Sequence, residues 1–168
     1  MLTSSEKGKK MGKKRENSKA LSELRELYLK WHRVKYPSMP SYGRTAPQYS
    51  DKTANGLTKC IIDFIRLSGG QAERTSTTGR FIDKRVQFTD VTGRTREIGN
   101  AQWIHTSGTR GSADISAVIK GRAVKIEVKI KDRQSEHQKV YQDAIQKAGG
   151  IYIIARSFSD FLDQYKSL

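Results

Sequence analysis

The chain has 168 residues, 35% of them hydrophobic, which is enough for one modest core and too little for a second full domain. Lys and Arg total 32 against 17 for Asp and Glu, and the excess of +15 is spread along the chain, so the expected partner is a polyanion. No stretch approaches the ~18 uninterrupted apolar residues of a spanning helix, the first residues lack the apolar core of a secretory signal, and the single Cys60 excludes an internal disulfide. These features lead to the expectation of a cytoplasmic protein that does not engage membranes.

Residues 1–17 carry Lys7, Lys9, Lys10, Lys13, Lys14 and Arg15 with almost nothing apolar, and read as a disordered basic arm. Such an arm either holds phosphates or only solubilises. Over residues 18–36, Leu21, Leu24, Tyr28 and Trp31 recur at helical spacing, widened by Leu27 and Val34, and Pro37 stops the pattern. An amphipathic helix is expected, packed on its own domain or serving as a dimer seam. Residues 37–53, with Pro40, Gly43 and Pro47, read as a linker.

From residue 54 onward, helices and strands alternate. Leu57, Cys60, Ile61, Phe64 and Ile65 share one helix face, closed by Gly69 and Gly70. Strands are expected at Ala72 to Thr77, Phe81 to Thr89 and Thr95 to Ile98, the last two joined through Asp90 and Gly93, then at Ala113 to Ile119 and Ala123 to Ile130. A helix from Glu136 to Ala148 is expected to bury His137, Val140, Tyr141, Ala144, Ile145 and Ala148. An apolar strand from Ile151 to Ala155 and a helix around Phe158 to Tyr165 complete an α/β domain with a mixed sheet.

In the strand from Ala123 to Ile130, alternation puts Val124, Ile126, Val128 and Ile130 on one face and Lys125, Glu127 and Lys129 on the other. The preceding strand likewise separates Ile115, Ala117 and Ile119 from Asp114, Ser116 and Val118. If Lys120 and Gly121 form the turn, Asp114 falls opposite Glu127; a shift of one residue puts it opposite Lys129. Either register gathers two carboxylates and an ammonium. Carboxylates suit a Mg²⁺ ion, which acidifies water and steadies the phosphate, while an ammonium orients the nucleophile or neutralises developing charge.

Gly111, Ser112, Ala113 and Asp114, then Lys125 to Lys129, then Ser135, Gln138, Tyr141, Gly149 and Gly150, resemble the VRR-NUC branch of the PD-(D/E)XK nucleases over roughly Asn55 to Ala155. The resemblance implies a restriction-endonuclease-like αβββαβ core, with a mixed central sheet flanked by helices, spanning residues 54–168. It also implies Asp114 and Glu127 as metal ligands with the Val128 carbonyl as a third, Lys129 as the catalytic lysine and Gln138 as a site residue, in a Mg²⁺- or Mn²⁺-dependent DNA endonuclease, often structure-selective and often of phage or prokaryotic origin. Ala113 stands where the motif has proline, which is not a ligand. Asn55 stands where the first helix often has a glutamate, a role that could pass to Glu73.

Ser135 and Gln138 also fit a capping box with no catalytic duty. His32, His105 and His137 lack mutual ligand spacing, and His137 reads as a core residue. The nucleic-acid contacts expected are Arg80, Lys84, Arg85, Arg94 and Arg96 near Phe81 and Phe88, with His105, Arg110 and Tyr141 nearer the acids. The competing functions are a noncatalytic DNA-binding module and a ribonuclease; junction resolution would require a homodimer.

Overall fold

The computed structural model describes residues 4–75, 79–104 and 108–168, with side chains from Glu16 onward. Its helices are α1 (Ser4–Lys35), α2 (Ala54–Leu67), α3 (Glu136–Lys147) and α4 (Phe158–Lys166). Its strands are β1 (Gln71–Arg74), β2 (Arg80–Asp83), β3 (Val86–Thr89), β4 (Thr95–Ile98), β5 (Ala101–Ile104), β6 (Ile115–Ile119), β7 (Arg122–Val128) and β8 (Ile151–Ala155). The central sheet has four strands in the order β1-β6-β7-β8. Its first two pairings are antiparallel and the last is parallel, so the expected mixed sheet in an α/β fold is present.

The β6–β7 turn fixes the register. Lys120 and Gly121 have φ of 49° and 76°, the left-handed pair of a two-residue hairpin whose twist matches its strands. Ile119 therefore pairs with Arg122 and Ile115 with Ile126, which sets Asp114 level with Glu127. One face of this hairpin is dry: Ile115, Ala117, Ile119, Val124, Ile126 and Val128 are all buried, and they pack with α2 and α4.

Thr53 caps α2 by accepting from Gly56 N–H at 3.1 Å, and α2 buries Leu57, Cys60, Ile61 and Ile65. Burial pushes the Cys60 thiol up to about 11, as befits a core residue. Phe64 meets Phe158 and Phe161 edge-on, with centroids 5.9 and 6.0 Å apart. Phe158 and Phe161 are themselves fully buried. Phe158→Ala removes a ring from this junction of α2 and α4, and urea unfolding should show a loss of about 3–5 kcal/mol.

Four features differ from the sequence reading. The stretch read as a disordered arm is the first part of α1, which starts at Ser4. Lys, Glu and Met are good helix formers and no proline intervenes, so the helix extends backward from its anchored half, where Ala20 and Leu24 are buried against the core. α1 packs on α2 and α4, which occupies the inner side of its stripe.

Residues 37–53 are not a free spacer. Tyr49 is buried and donates to Asp63 at 3.1 Å, and Asp51 accepts from Phe158 N–H at 3.0 Å, tying the segment to α2 and α4. The strand expected over Phe81 to Thr89 breaks at Lys84 and Arg85, and β5 pairs with β2, a pairing that its weak alternation concealed. Finally, α3 buries none of its residues fully: Val140 is 68% exposed and His137 is exposed, so His137 is not a core histidine. The helix instead turns Gln138, Tyr141, Gln142 and Ile145 inward, because one sheet edge covers only part of its circumference.

Candidate active site

β6 and β7 carry Asp114 and Glu127 to the same end of the sheet, Asp114 just before β6 and Glu127 near the end of β7. An Asp114 carboxylate oxygen accepts the Val128 N–H at 2.9 Å, which holds that side chain over the end of β7. Glu127 is 1% exposed, and its strand neighbours Ile126 and Val128 are buried on the opposite face. A carboxylate so enclosed needs donors on every side. Lys129 Nζ lies 3.0 Å from Glu127 Oε1. Gln138 Nε2 donates to the same oxygen at 2.5 Å, and the Tyr152 hydroxyl donates to Oε2 at 3.5 Å.

Burial raises the Glu127 pKa above the ordinary carboxylate range, and repulsion from Asp114 adds to it, while the Lys129 hydrogen bond and charge oppose the rise. Burial likewise raises the Tyr152 phenol, with the Glu127 charge adding to the effect, so Tyr152 stays a neutral donor. Lys129 is anchored by its own backbone, whose N–H donates to Ala155 across the parallel β7–β8 pair at 2.9 Å.

Gln138 reaches Glu127 because α3 is capped. Ser135 Oγ accepts the Gln138 N–H at 3.3 Å and Gln138 Oε1 accepts the Ser135 N–H at 2.9 Å, a complete capping box. One amide thus joins the cap through its oxygen and the carboxylate through its nitrogen, so the capping and site geometries coexist. Gly111, at φ +81°, seats the loop before β6 against the start of α3; a Cβ there would lie 2.5 Å from the His137 carbonyl group. This contact ties the position of Asp114 to that of Gln138.

The double duty separates two variants. Ser135→Ala should cost about 1 kcal/mol in thermal unfolding through the lost N-cap, and Gln138→Ala should also lower the melting temperature, because it removes the reciprocal half of the box. Only Gln138→Ala should also disturb the carboxylate, which any assay of the site would register as a loss additional to that of Ser135→Ala.

The remaining expected residues are dispersed. Ser116 Oγ accepts from Lys125 Nζ at 2.6 Å on the same sheet face. Glu73 lies opposite Ser116 and is exposed, two register positions away from Asp114. Asn55 accepts from Arg74 at 2.7 Å. Arg110 is exposed, and Tyr141 packs edge-on against Tyr152 with centroids 6.4 Å apart. His105 lies outside the described residues. Arg80, Lys84, Arg85, Arg94 and Arg96 belong to a separate hairpin, where Arg85 pairs with Asp83 at 2.7 Å and Arg96 with Asp90 at 2.9 Å.

Tyr152 is a site residue that sequence patterning does not single out. Its one signal is a hydroxyl in the otherwise apolar strand β8, at the position that lies opposite Lys125.

Among the described residues, no group of three or more His, Cys, Asp and Glu side chains surrounds a common point. Mg²⁺ does not need one: it keeps several waters and is commonly held by one or two carboxylates, so Asp114 and Glu127 fit its chemistry. Fold and site together define a mixed-sheet α/β protein with a cluster of two carboxylates, one ammonium and one amide. Compared with protein-family models and with curated proteins, the chain matches none. No helix of the described residues is long and apolar enough to cross a membrane.

Proposed function

We propose that this chain is a metal-dependent nuclease of the PD-(D/E)XK type, hydrolysing DNA phosphodiester bonds as an endonuclease. The observation that carries the reading is the enclosure of Glu127, an acid 1% exposed, level with Asp114 and held by Lys129 at 3.0 Å. Burying a carboxylate beside a second one is costly, and such arrangements concentrate at functional sites. An ordinary solvent-facing strand gives no reason for it.

In this reading Asp114 and Glu127, with the Val128 carbonyl, hold Mg²⁺ or Mn²⁺, which supplies an acidified water and charge stabilisation at the phosphate. The Lys129 ammonium, 3.0 Å from Glu127, orients the nucleophile or offsets charge that grows in the transition state. Gln138 and Tyr152 hold Glu127 in place from opposite sides. The net charge of +15 draws the polyanion to the surface.

The test is cleavage of end-labelled duplex, single-stranded, flap and four-way-junction DNA, and of RNA of the same sequence, with Mg²⁺ and with Mn²⁺. Metal-dependent cuts within DNA strands are expected. Binding to every substrate without cutting under either metal would replace the nuclease with a noncatalytic DNA-binding module; faster cutting of RNA would make it a ribonuclease.

A further inference from the structure

Residues 80–104 form a ribbon that the central sheet does not use. β2 pairs with β5 and β3 with β4, and neither pair joins the central sheet. The two pairings share one register, Arg80 opposite Ile104 and Thr89 opposite Thr95, so they are one continuous antiparallel hairpin with a break at Lys84 and Arg85. The Lys84 N–H still donates to Asn100 across that break at 3.0 Å. Nine residue steps from Arg80 to Thr89 give the arm a length of roughly 30 Å.

The distal half is two-faced. Val86, Phe88 and Ile98 lie with Arg96 on one face and are 62%, 41% and 60% exposed. Gln87, Thr89, Thr95 and Glu97 make the other face. An apolar strand face left in water, at the end of an arm, calls for a partner. The tip is also fixed rather than loose. Asp90 accepts the Thr92 and Arg94 N–H groups at 2.9 and 3.0 Å and pairs with Arg96 at 2.9 Å.

Charge indicates which partner. On the apolar distal face Arg96 is paired with Asp90 of the tip, whereas Glu97 and Asp83 lie on the opposite side, where both engage Arg85. Among the described residues Arg80, Lys84 and Arg94 form no ion pair. The arm is also tethered at the candidate site: β1 ends at Arg74, the Thr75 N–H donates to the Asp114 carbonyl at 2.8 Å, and the six steps from Arg74 to Arg80 span at most roughly 20–22 Å.

We propose that the Arg80–Ile104 hairpin is a groove-binding arm for B-form duplex DNA, seating its Val86, Phe88 and Ile98 face in the major groove while Arg80, Lys84 and Arg94 meet the flanking phosphates. The inference deepens the nuclease reading, and rests on it for the placement of the duplex across Asp114 and Glu127. A B-DNA major groove about 12 Å wide and about 8.5 Å deep admits a two-stranded ribbon, and its thymine methyl groups offer apolar contacts. The A-form RNA major groove is too deep and narrow for side chains to read, so the arm selects DNA by shape. That selection goes beyond phosphate tracking, which does not distinguish the two duplexes.

The test is anisotropy of labelled duplex DNA and duplex RNA of one sequence with the full chain, without divalent metal, across a salt series. Phe88→Ser with Ile98→Ser should weaken DNA binding about tenfold and leave the salt slope unchanged. Arg80→Ala with Lys84→Ala and Arg94→Ala should lower that slope by about 0.9 for each phosphate that the variant no longer neutralises. Thermal unfolding should match the wild type, because the arm lies outside the core. Wild-type DNA affinity in both variants, or RNA binding as tight as DNA binding, would overturn the proposal. A dimer that Phe88→Ser with Ile98→Ser dissociates, with DNA affinity unchanged, would overturn it too and assign the face to a second copy. Groove binding without cleavage by the wild type would sustain the arm and refute the nuclease; cleavage with indifferent arm variants would do the reverse.

Discussion

Lys129→Ala is expected to lower metal-dependent cleavage by about 10²- to 10³-fold, the usual cost of removing one preorganised group from a developing charge. DNA affinity should stay near wild type, because one ammonium among 32 basic residues contributes little to phosphate binding. The variant should also acquire a pH signature that a surface lysine would not. Burial already holds the Glu127 carboxyl above its ordinary range, and the Lys129 hydrogen bond and charge oppose the rise, so their loss raises it further.

A carboxyl whose folded-state pKa is raised favours the folded state when protonated, and penalises it once the unfolded form ionises more readily. The Lys129→Ala protein should therefore melt close to the wild type at about pH 5 and fall further behind it by about pH 8. A deficit that is the same at both values would show that Lys129 does not act on Glu127.

Mg²⁺ or Mn²⁺ is expected to stabilise the wild type, and Asp114→Asn to abolish that stabilisation and cleavage with it. Metal at roughly a hundred times its dissociation constant stabilises a folded protein by about 2.7 kcal/mol, which is several degrees in melting temperature for a chain this size. Asparagine keeps an oxygen for the Val128 N–H that now donates at 2.9 Å, and it relieves repulsion of Glu127. The metal-free variant should thus be at least as stable as the metal-free wild type. The opposite responses with and without metal separate a lost ligand from a damaged fold. An undiminished metal shift in Asp114→Asn would place the ion elsewhere.

The elements that the sequence disclosed best are those whose pattern is enforced from both ends. β6 and β7 alternate cleanly around a Lys-Gly turn that can adopt two left-handed residues, so their faces and the gathering of Asp114, Glu127 and Lys129 are readable in the sequence alone. The register was open to one alternative, which the turn geometry removes. α2 was equally legible, because its stripe is buried along its length.

Legibility failed where burial is one-sided or absent. α3 has apolar residues at helical spacing, yet Val140 faces outward because the helix packs on the β8 edge of the sheet. In residues 80–104 neither ribbon face meets the core, so alternation there is weak: it marks β3 and β4 but not β5. Tyr152 was hidden for a different reason: its relation to Glu127 comes from a parallel pairing of segments 25 residues apart, and no local spacing encodes it.

Capping residues were readable, but their second duty was not. Ser135 and Gln138 show a helix start in any sequence, whereas the reach of the Gln138 amide to Glu127 depends on where β7 ends and on Gly111 seating the loop against α3.

Titrating Mg²⁺ into wild type, Asp114→Asn and Lys129→Ala with an end-labelled DNA duplex, while binding is followed in parallel, tests whether Asp114, Glu127 and Lys129 form one metal-dependent hydrolytic site. Cuts are expected to rise with Mg²⁺ in the wild type and vanish in both variants, with the duplex still bound. Cleavage independent of metal, or equal in all three proteins, would contradict it.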